Sequence, residues 1–308
     1  MYRDLIELVD ALKSIAEPTR LRLVRLLAQG ELTVSELVRI LGQSQPRVSR
    51  HLKLLCDAGV LERFREQHHV YYRVPLDGAG HELSRSLAAF FPLSDTDLAN
   101  DQARLNDVQE ARAKLSQDYV EEEAPEWRRL HELHGDEAAF AQAVINEMTR
   151  EPLGELLDVA TGTGRMLSIL GPPCTKGTGI DLSRKMVNVA RAQLATQGLT
   201  HCTIRQDDMY QMRFADASFD TVTIDQVLYL ADQPEAVVNE AARVLSPGGR
   251  LMIVAFTGDT TEGQQPLGIA PASIDAWCRA AGLEPDTHVN LPGQSADITL
   301  IVARVTQI

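Results

Sequence analysis

The sequence of 308 residues has no run of 18 apolar residues and only four cysteines. Without such a run it has no candidate membrane-spanning helix, and its first residues are amphipathic and acidic, unlike a signal peptide. Cys56, Cys174, Cys202 and Cys278 lie far apart and form no C-x-x-C pair. Their spacing predicts neither a disulfide framework nor convergence on an ion. We therefore expect a cytoplasmic protein with no membrane partner, free thiols and no metal.

Positive charge is scarce but unevenly placed. Residues 1–75 carry 12 Lys and Arg against 9 Asp and Glu, whereas the remainder carries 18 against 34. An acidic body is repelled by DNA, so the positive end is where a nucleic acid would bind. The length also exceeds that of one typical domain, which suggests two.

A glycine-containing turn follows a short apolar strand in the stretch 155–183, ELLDVATGTGRMLSILGPPCTKGTGIDLS. The turn lacks the third glycine of G-x-G-x-x-G, which a dinucleotide pyrophosphate needs. Asp158 precedes the turn instead, and a carboxylate there repels a pyrophosphate and attracts a cation. A second strand ends at Asp181, 23 positions later, about the spacing at which a carboxylate meets a ribose diol. The pattern predicts a pocket for a positively charged nucleoside.

The segment from Asp158 to Gly164, DVATGTG, resembles the first motif, D-x-G-x-G-x-G, of the class I methyltransferases that use S-adenosylmethionine (SAM). Ala160 replaces the first glycine, which bears on how closely the methionine part approaches. The resemblance implies SAM, or its product S-adenosylhomocysteine, as the ligand. An ordinary strand-turn-helix of another doubly wound protein is the alternative.

Strands and helices alternate beyond Asp181, which predicts an α/β fold with a parallel sheet and right-handed crossovers. ADASFDTV and RVLSPGGRL resemble the family closely, and the last segments resemble the helix and antiparallel strand pair that close such sheets. The resemblance implies a Rossmann-like, mostly parallel seven-stranded sheet.

The resemblance also assigns roles at the ends of later strands. It implies that Asp208 accepts a hydrogen bond from the adenine amino group and that Met209 lies against the ring, with Asp207 as the alternative acceptor. Asp225, Gln226 and Tyr229 lie where the family meets its methyl acceptor. No universal catalytic side chain is expected, because the methyl group of SAM is already activated. The residues predicted to bind the cofactor are Tyr119, Asp158, Ala160, Gly162, Gly164, Asp181, Leu182, Asp208, Met209, Asp225 and Gln226.

Tyr119 begins the tract YVEEEAPEWRRLHELH, which resembles a cofactor lid in methyltransferases related to ubiquinone biosynthesis. Tyr119 is thus a candidate to lie over the methionine end of the ligand. Packing of Tyr119 and Trp127 without ligand contact is the alternative. His131 and His134 are more typical of a solvated helix face than of a metal site.

Four helical patterns and a hairpin occupy the positive end. In the fourth helix Val48, Leu52 and Leu55 lie on one face, and Ser44, which can cap the helix, lies with Arg47 and His51 on the other. Such a short cationic face suits base edges and phosphates. The segment VLERFREQHHVYYRV then alternates like two strands around 66–68, and its Arg63, Arg65 and Arg73 predict a basic wing.

IAEPTRLRLVRLL, SQPRVSRHLKLLCDAGVLERFRE and VYYRV resemble the ArsR-type winged-helix transcription regulators. The resemblance implies a homodimer on a partly palindromic operator in promoter DNA. ELTVSEL has hydroxyls where metal-sensing members have thiolates, so soft-metal sensing there is not expected. A winged helix used only for protein contact is the alternative. The residues predicted to bind DNA are Ser44, Gln45, Arg47, Ser49, Arg50, His51, Lys53, Arg65 and His68.

These segments predict three parts: a DNA-binding domain at 1–76, a helical linker, dimer contact and lid at 77–150, and a SAM-binding domain at 151–308. The long charged helix of the linker reads as a solvated spacer. Two functions remain open, a regulator that senses SAM or S-adenosylhomocysteine, and a small-molecule methyltransferase with an autoregulatory DNA-binding module. We favour the regulator for two reasons. The DNA-binding face is intact, and TGDTTEGQQPLGIAP, after the fifth strand, is short and polar where many relatives have a substrate-covering helix.

Overall fold

The computed structural model describes residues 2–66, 69–92, 94–122, 136–257, 261–262, 265–266, 268–292 and 297–306. The chain divides into two compact units, Met1–Arg112 and Ala113–Ile308. Every helix within these described residues is too short or too polar to cross a lipid bilayer.

The first unit is a winged helix-turn-helix, as predicted. Strands β1 (Leu32–Thr33), β2 (Glu62–Glu66) and β3 (His69–Arg73) form an antiparallel sheet in the order β1-β3-β2. The apolar faces of the helices meet in one core, in which Leu23, Leu37 and Leu52 are fully buried. The helices are α1 (Leu5–Ile15), α2 (Pro18–Leu27), α3 (Val34–Leu41), α4 (Gln45–Asp57), α5 (Gly78–Leu87) and α6 (Thr96–Glu122), of which α6 extends beyond the unit.

Local signals set the bounds of α3, the first helix of the helix-turn-helix pair. Thr33 and Glu36 form a capping box, in which each side chain accepts a hydrogen bond from the other's backbone N–H. Gly42 ends the helix with φ 65°, a left-handed conformation that glycine adopts without strain. The Thr33 hydroxyl also bonds the Glu36 carboxylate and the Ser35 hydroxyl. The hydroxyls of this segment therefore serve the cap.

The amino-terminal part of α6 is not a solvated spacer, and the sequence-based expectation was wrong there. Leu105 and Val108 are buried in the core of the first unit. Asp101 is 1% exposed and accepts two hydrogen bonds from Arg22, at 2.6 and 2.7 Å. Arg104 donates to the carbonyl of Ile40 at 2.8 Å. The helix packs on the first unit with few apolar side chains because its charged side chains add hydrogen bonds to that unit. Residues 77–112 thus belong to the first unit, and the predicted domain bounds stay predictions.

The second unit has one seven-stranded sheet between helices, as predicted. Its strand order is β11-β12-β8-β7-β4-β5-β6. The five strands from β8 to β6 are parallel, whereas β12 and β11 are antiparallel to their neighbours. A separate two-stranded ribbon consists of β9 and β10. The strands are β4 (Glu155–Val159), β5 (Lys176–Asp181), β6 (Cys202–Gln206), β7 (Phe219–Asp225), β8 (Leu245–Thr257), β9 (Thr261–Glu262), β10 (Gln265–Pro266), β11 (Leu283–Leu291) and β12 (Asp297–Val305).

Helices cover both faces of this sheet, and a buried apolar cluster fills each side. The chain order reverses between β4 and β7, which are neighbours in the sheet. Ligands of open α/β sheets bind outside the carboxyl ends of the strands at such a reversal. The helices of the unit are α7 (Glu137–Met148), α8 (Arg165–Leu170), α9 (Arg184–Thr196), α10 (Pro234–Val244) and α11 (Pro271–Ala280).

Candidate cofactor site and nucleic-acid interface

The turn after β4 adopts left-handed backbone conformations at three positions. Gly162 has φ 55° and Gly164 has φ 84°, and a Cβ on Gly164 would lie 3.3 Å from the Cβ of Ala190. Ala160 has φ 53°, which is strained for a residue with a side chain. The Thr161 N–H donates to the Ile180 carbonyl at 2.8 Å, which fixes the turn against β5. The first, second and third glycine positions of the motif, 160, 162 and 164, are thus the positions at which the backbone is left-handed.

Asp158 lies beneath this turn rather than at the surface. It is 1% exposed, and its two oxygens accept hydrogen bonds from Thr161 Oγ1 at 2.5 Å and Thr223 Oγ1 at 2.7 Å. Burial raises the pKa of Asp158 to about 7. Both oxygens of Asp158 are engaged within the fold, so direct contact of this carboxylate with a cationic ligand stays a prediction. Asp158 joins β4, its turn and β7.

Asp181, at the carboxyl end of β5, supports the turn from the other side. Its Oδ2 accepts a hydrogen bond from the Gly162 N–H at 3.0 Å, and its Oδ1 accepts one from the Ser183 N–H at 2.7 Å. Burial raises the pKa of Asp181. Each oxygen keeps a lone pair, so Asp181 can also accept hydrogen bonds from a diol. The next residue, Leu182, is 68% exposed and offers an apolar surface beside the carboxylate.

The two acidic residues after β6 differ in their partners. Asp207 is 8% exposed, and both of its oxygens accept hydrogen bonds from Arg213. Asp208 is half-buried and accepts one from the Tyr210 N–H at 2.9 Å. Met209 packs against the core cluster beneath. Asp207 is therefore occupied within the fold, and Asp208 is the better placed acceptor for a ligand.

Arg165 connects α7 to the carboxyl end of β7, and sequence reasoning did not single it out. Its guanidinium donates to both oxygens of Glu137, at 2.8 and 2.9 Å, and to Asp225 Oδ2 at 3.3 Å. It also lies 3.8 Å from the ring centroid of Phe140. The only sequence signal was an arginine directly after Gly164, which no motif requires.

Asp225 has a buried oxygen without a partner. No described residue gives its Oδ1 a hydrogen bond, and burial raises the pKa of this carboxyl. The adjacent Gln226 has φ 50°, held by a hydrogen bond from its N–H to the Val254 carbonyl at 2.9 Å. A buried acceptor without a donor costs about 1–3 kcal/mol, which a ligand N–H would recover.

The predicted lid cannot be placed in the same way. Tyr119 belongs to α6, but its side chain lies outside the described part of the structure. Trp127, His131 and His134 lie wholly outside the described residues. The lid and its alternative packing role therefore stay predictions.

The second helix of the helix-turn-helix pair, α4, presents a cationic outer face in the first unit. Ser44, Gln45, Arg47, Arg50 and Lys53 are exposed, and Ser49 is half-buried. None of the three cations is ion-paired to a side chain in the described part of the chain. Ser44 occupies the N-cap position, but its hydroxyl makes no cap hydrogen bond, unlike the cap we predicted. The hydroxyl thus has no capping role.

His51 was predicted on the outer face but turns toward the amino end of α2. Its side chain is 12% exposed, and Nδ1 lies 3.7 Å from Glu17 Oε2. Burial lowers the pKa of His51. Arg73 of the wing is likewise 8% exposed and bonded to Glu62. Arg63 and Arg65 are exposed, and His68 lies outside the described residues.

Comparison with known families decides the domain types. Residues 17–63 match the bacterial regulatory protein family described as arsR, and residues 157–253 match the family described as methyltransferase domain. The chain carries an ArsR-family helix-turn-helix domain and a class I methyltransferase domain. The first implies DNA binding and the second implies SAM binding.

Individual relatives agree over part of the chain. It is 33% identical over 125 residues to the ubiquinone/menaquinone biosynthesis C-methyltransferase UbiE of Desulfotalea psychrophila, covering 40% of this chain and 50% of that protein. It is 31% identical over 224 residues to an uncharacterized 37.1 kDa protein in transposon TN4556 of Streptomyces fradiae, covering 63% and 64%. The chain spans about half the length of the curated methyltransferase it matches.

Among solved structures, a SAM-dependent methyltransferase from Aquifex aeolicus is similar with a TM-score of 0.48 and 19% sequence identity. The similarity covers 64% of this chain and 98% of that one.

The residues of the methyltransferase domain fit a SAM-like ligand. Asp225 Oδ1, which no described residue bonds, suits an ammonium donor, and Asp181 and Asp208 offer acceptors at the ends of neighbouring strands. The three carboxylates make this edge of the sheet a poor place for a pyrophosphate. When bound, SAM supplies a methyl group already activated for transfer.

Two cysteines of the methyltransferase domain approach each other near the amino ends of β5 and β6, away from the carboxyl ends that carry Asp181 and Asp208. Sγ of Cys174, Sγ of Cys202 and a ring nitrogen of His201 all lie within 4.8 Å of one another. The expectation that these cysteines do not converge was wrong, because parallel pairing of β5 and β6 brings together residues distant in the sequence. Both cysteines are free, as predicted. The hydrogen bond with Cys202 and the nearby His201 both lower the pKa of Cys174.

Proposed function

We propose that this protein is a transcription regulator that binds promoter DNA and whose methyltransferase domain senses SAM or S-adenosylhomocysteine. One observation carries the proposal. The exposed cations Arg47, Arg50 and Lys53, which form no ion pair within the described residues, occur in the same chain as a carboxylate-lined sheet edge where Asp225 Oδ1 is buried without a described hydrogen-bond partner. A winged helix used only for protein contact would not require three exposed cations on α4.

The proposal gives each carboxylate a separate part of the ligand. Asp181 accepts from the ribose hydroxyls, Asp208 from the adenine amino group, and Asp225 from the ammonium of the amino-acid arm. Arg165 positions Asp225 by occupying its other oxygen. Ala160, Gly162 and Gly164 shape the backbone beside the arm, and Leu182, Met209 and Gln226 complete the walls. Asp158 acts through Thr161 and the turn. Each assignment rests on the hydrogen bonds that the carboxylate makes within the fold and on the acceptor capacity that these bonds leave for a ligand.

On the DNA side, Gln45, Arg47, Ser49 and Arg50 are proposed to reach bases or phosphates from α4. Ser44, Lys53 and Arg65 are proposed to hold the backbone. Such a helix reads one half-site, so the protein is proposed to bind a partly palindromic operator as a homodimer.

The second candidate function is methyl transfer to a small molecule, with the DNA module regulating its own pathway. The match of residues 157–253 to the methyltransferase family favours it. The short β9–β10 ribbon after β8 favours the sensor, because its described residues offer no helix to cover an acceptor. Transfer of labelled methyl groups from SAM to an acceptor in a cell extract, catalysed by the purified protein, tests for the enzyme.

Isothermal titration calorimetry with SAM and S-adenosylhomocysteine tests ligand binding. We expect one site per chain in the wild type and a roughly 10- to 150-fold loss in Asp181→Ala, from losing a charged hydrogen bond worth about 1.5–3 kcal/mol. Asp181→Asn keeps an acceptor for the turn and separates ligand contact from folding. Asp216→Asn, on an exposed loop before β7, is the control and should bind normally. Absence of heat with either ligand contradicts the proposal.

A further inference from the structure

We infer that Cys174, His201 and Cys202 form a binding site for a borderline-soft divalent cation of the zinc type. Their three ligand atoms lie within 4.8 Å of one another, and no other group of three such side chains was found among the described residues. This site is separate from the proposed cofactor site and goes beyond the proposed function.

The donor set selects the class of ion. Two sulfurs and one imidazole nitrogen suit Zn²⁺, whereas Mg²⁺ and Ca²⁺ require oxygen ligands, which this cluster lacks. Two thiolates carry two negative charges and match a divalent cation. Binding would release both thiol protons to the solvent, with no electron transfer. A tetrahedral ion would have three protein ligands here and a fourth position for water.

The surroundings orient the ligands as metal sites do. A ring nitrogen of His201, Nε2, lies 2.9 Å from the Gly171 carbonyl oxygen. Since a carbonyl can only accept, Nε2 carries the proton in this contact, which leaves Nδ1 as the ring nitrogen that can bind an ion. Two glycines leave room for the Cys202 sulfur, because a Cβ on Gly177 would lie 2.6 Å from it and one on Gly171 would lie 3.2 Å from it. The sulfurs are buried, while His201 is half-buried and gives the ion a path of entry.

The position of the cluster separates it from the cofactor. Cys174 precedes β5 and Cys202 begins β6, so the cluster lies at the amino ends of these parallel strands. Asp181 ends β5 at the opposite edge, roughly 15–20 Å away at about 3.3 Å per residue. An ion at the cluster therefore does not need SAM in order to bind.

Titration of the reduced, chelator-treated full-length protein with Co²⁺, followed by Zn²⁺, tests the site. We expect one Co²⁺ per chain, a thiolate-to-Co²⁺ charge-transfer band, and its loss when Zn²⁺ displaces the ion. Cys174→Ser and Cys202→Ser should each weaken binding by at least ~100-fold, because loss of a residue that only supports a metal ligand already costs about 10- to 100-fold in affinity. Cys56→Ser, Cys278→Ser and Asp181→Ala should bind normally, since their side chains lie outside the cluster.

A second measurement on the wild type avoids any folding defect of the variants. Zn²⁺ should protect Cys174 and Cys202 from alkylation, mapped by mass spectrometry, and leave the rate at Cys56 unchanged. Three results overturn the inference: no charge-transfer band in the folded reduced protein, a band that persists when Cys174→Ser and Cys202→Ser are combined in one chain, or equal alkylation of Cys174 with and without Zn²⁺. Formation of a Cys174–Cys202 disulfide by a protein that takes up no metal overturns it as well.

Discussion

Arg112 donates two hydrogen bonds to the carboxylate of Glu36, from Nε to Oε1 at 2.8 Å and from Nη2 to Oε2 at 2.7 Å. The same Oε2 accepts from the Thr33 backbone N–H at 2.8 Å in the capping box of α3. The last residue of the first unit thus bonds directly to the helix-turn-helix pair. Bidentate arginine-carboxylate contacts fix geometry as well as adding energy. α6 is in this way held at the DNA-binding domain.

Arg112→Ala should reduce the effect of SAM on DNA affinity. We expect DNA and SAM each to bind normally, because the described partners of Arg112, Glu36 and the Glu31 carbonyl, belong to neither predicted site. The ratio of DNA affinities with and without SAM should move toward one. Fluorescence anisotropy with an operator fragment measures this change. Lys114→Ala, an exposed position on the same helix, is the control. An undiminished effect in Arg112→Ala would show that α6 does not transmit occupancy through this contact.

Ala160→Gly should stabilise the methyltransferase domain by up to about 1 kcal/mol. Relief of the left-handed strain, about 1–2 kcal/mol, exceeds the added freedom of the unfolded glycine, about 0.4–1 kcal/mol. Trp277 packs against the core of the second unit, and residues 1–112 contain no tryptophan, so tryptophan fluorescence in urea reports on the second unit. Ala195→Gly, in α9, should instead destabilise by about 1 kcal/mol. A loss of stability in Ala160→Gly would argue against the strained turn.

Asp158 predicts a dependence of stability on pH. Its pKa is about 7 when folded against 3.8 for the free side chain, so the folded state binds more protons between these values. Its contribution to stability is fully present below about pH 4 and falls, on the order of 1 kcal/mol per pH unit, until the pH passes 7.

Asp158→Asn should remove this decline, since an amide keeps an acceptor for one threonine and does not titrate. Urea unfolding followed by tryptophan fluorescence at pH 5, 6, 7 and 8 measures the difference. Wild type and variant should diverge as the pH rises, with the variant relatively more stable at pH 8. Parallel curves would mean that Asp158 is ionised throughout.

The cationic face of α4 predicts distinct effects on DNA binding. Arg47→Ala or Arg50→Ala should weaken operator binding by about 1–3 kcal/mol if the side chain reads a base. Lys53→Ala should weaken all sequences similarly and reduce the salt slope by about 1. His51→Asn should change little, because the His51 ring turns toward Glu17. SAM affinity should be unchanged in all of them. A large effect of His51→Asn alone would contradict the orientation found here.

The parts of the fold that depend on local pattern could be predicted from the sequence. Alternating strands and helices predicted the parallel sheet, and Gly42 predicted the end of α3. The turn from Asp158 to Gly164 was recognised because its backbone requires glycine at Gly162 and Gly164. The antiparallel pair β11 and β12 also followed from resemblance.

Features that depend on packing between distant segments could not be predicted. Whether Asp158 faces a ligand or the core depends on the hydroxyl of Thr223, on another strand. Arg165 acquires its role only when Glu137 and Asp225 lie on either side of it. The docking of α6 depends on the buried Arg22–Asp101 pair, and a charged helix alone cannot reveal which of its charges are buried.

The central claim is that ligand at the methyltransferase domain changes DNA affinity. Its most direct test is the affinity of the full-length protein for a fragment from upstream of its own gene, measured by gel shift with and without SAM and S-adenosylhomocysteine, in the wild type and in Asp181→Asn. The account predicts a roughly 5- to 150-fold change with at least one ligand in the wild type, as typical for allosteric coupling, and a reduced change in the variant. Specific DNA binding that neither ligand alters, at concentrations where calorimetry shows the site filled, would contradict it.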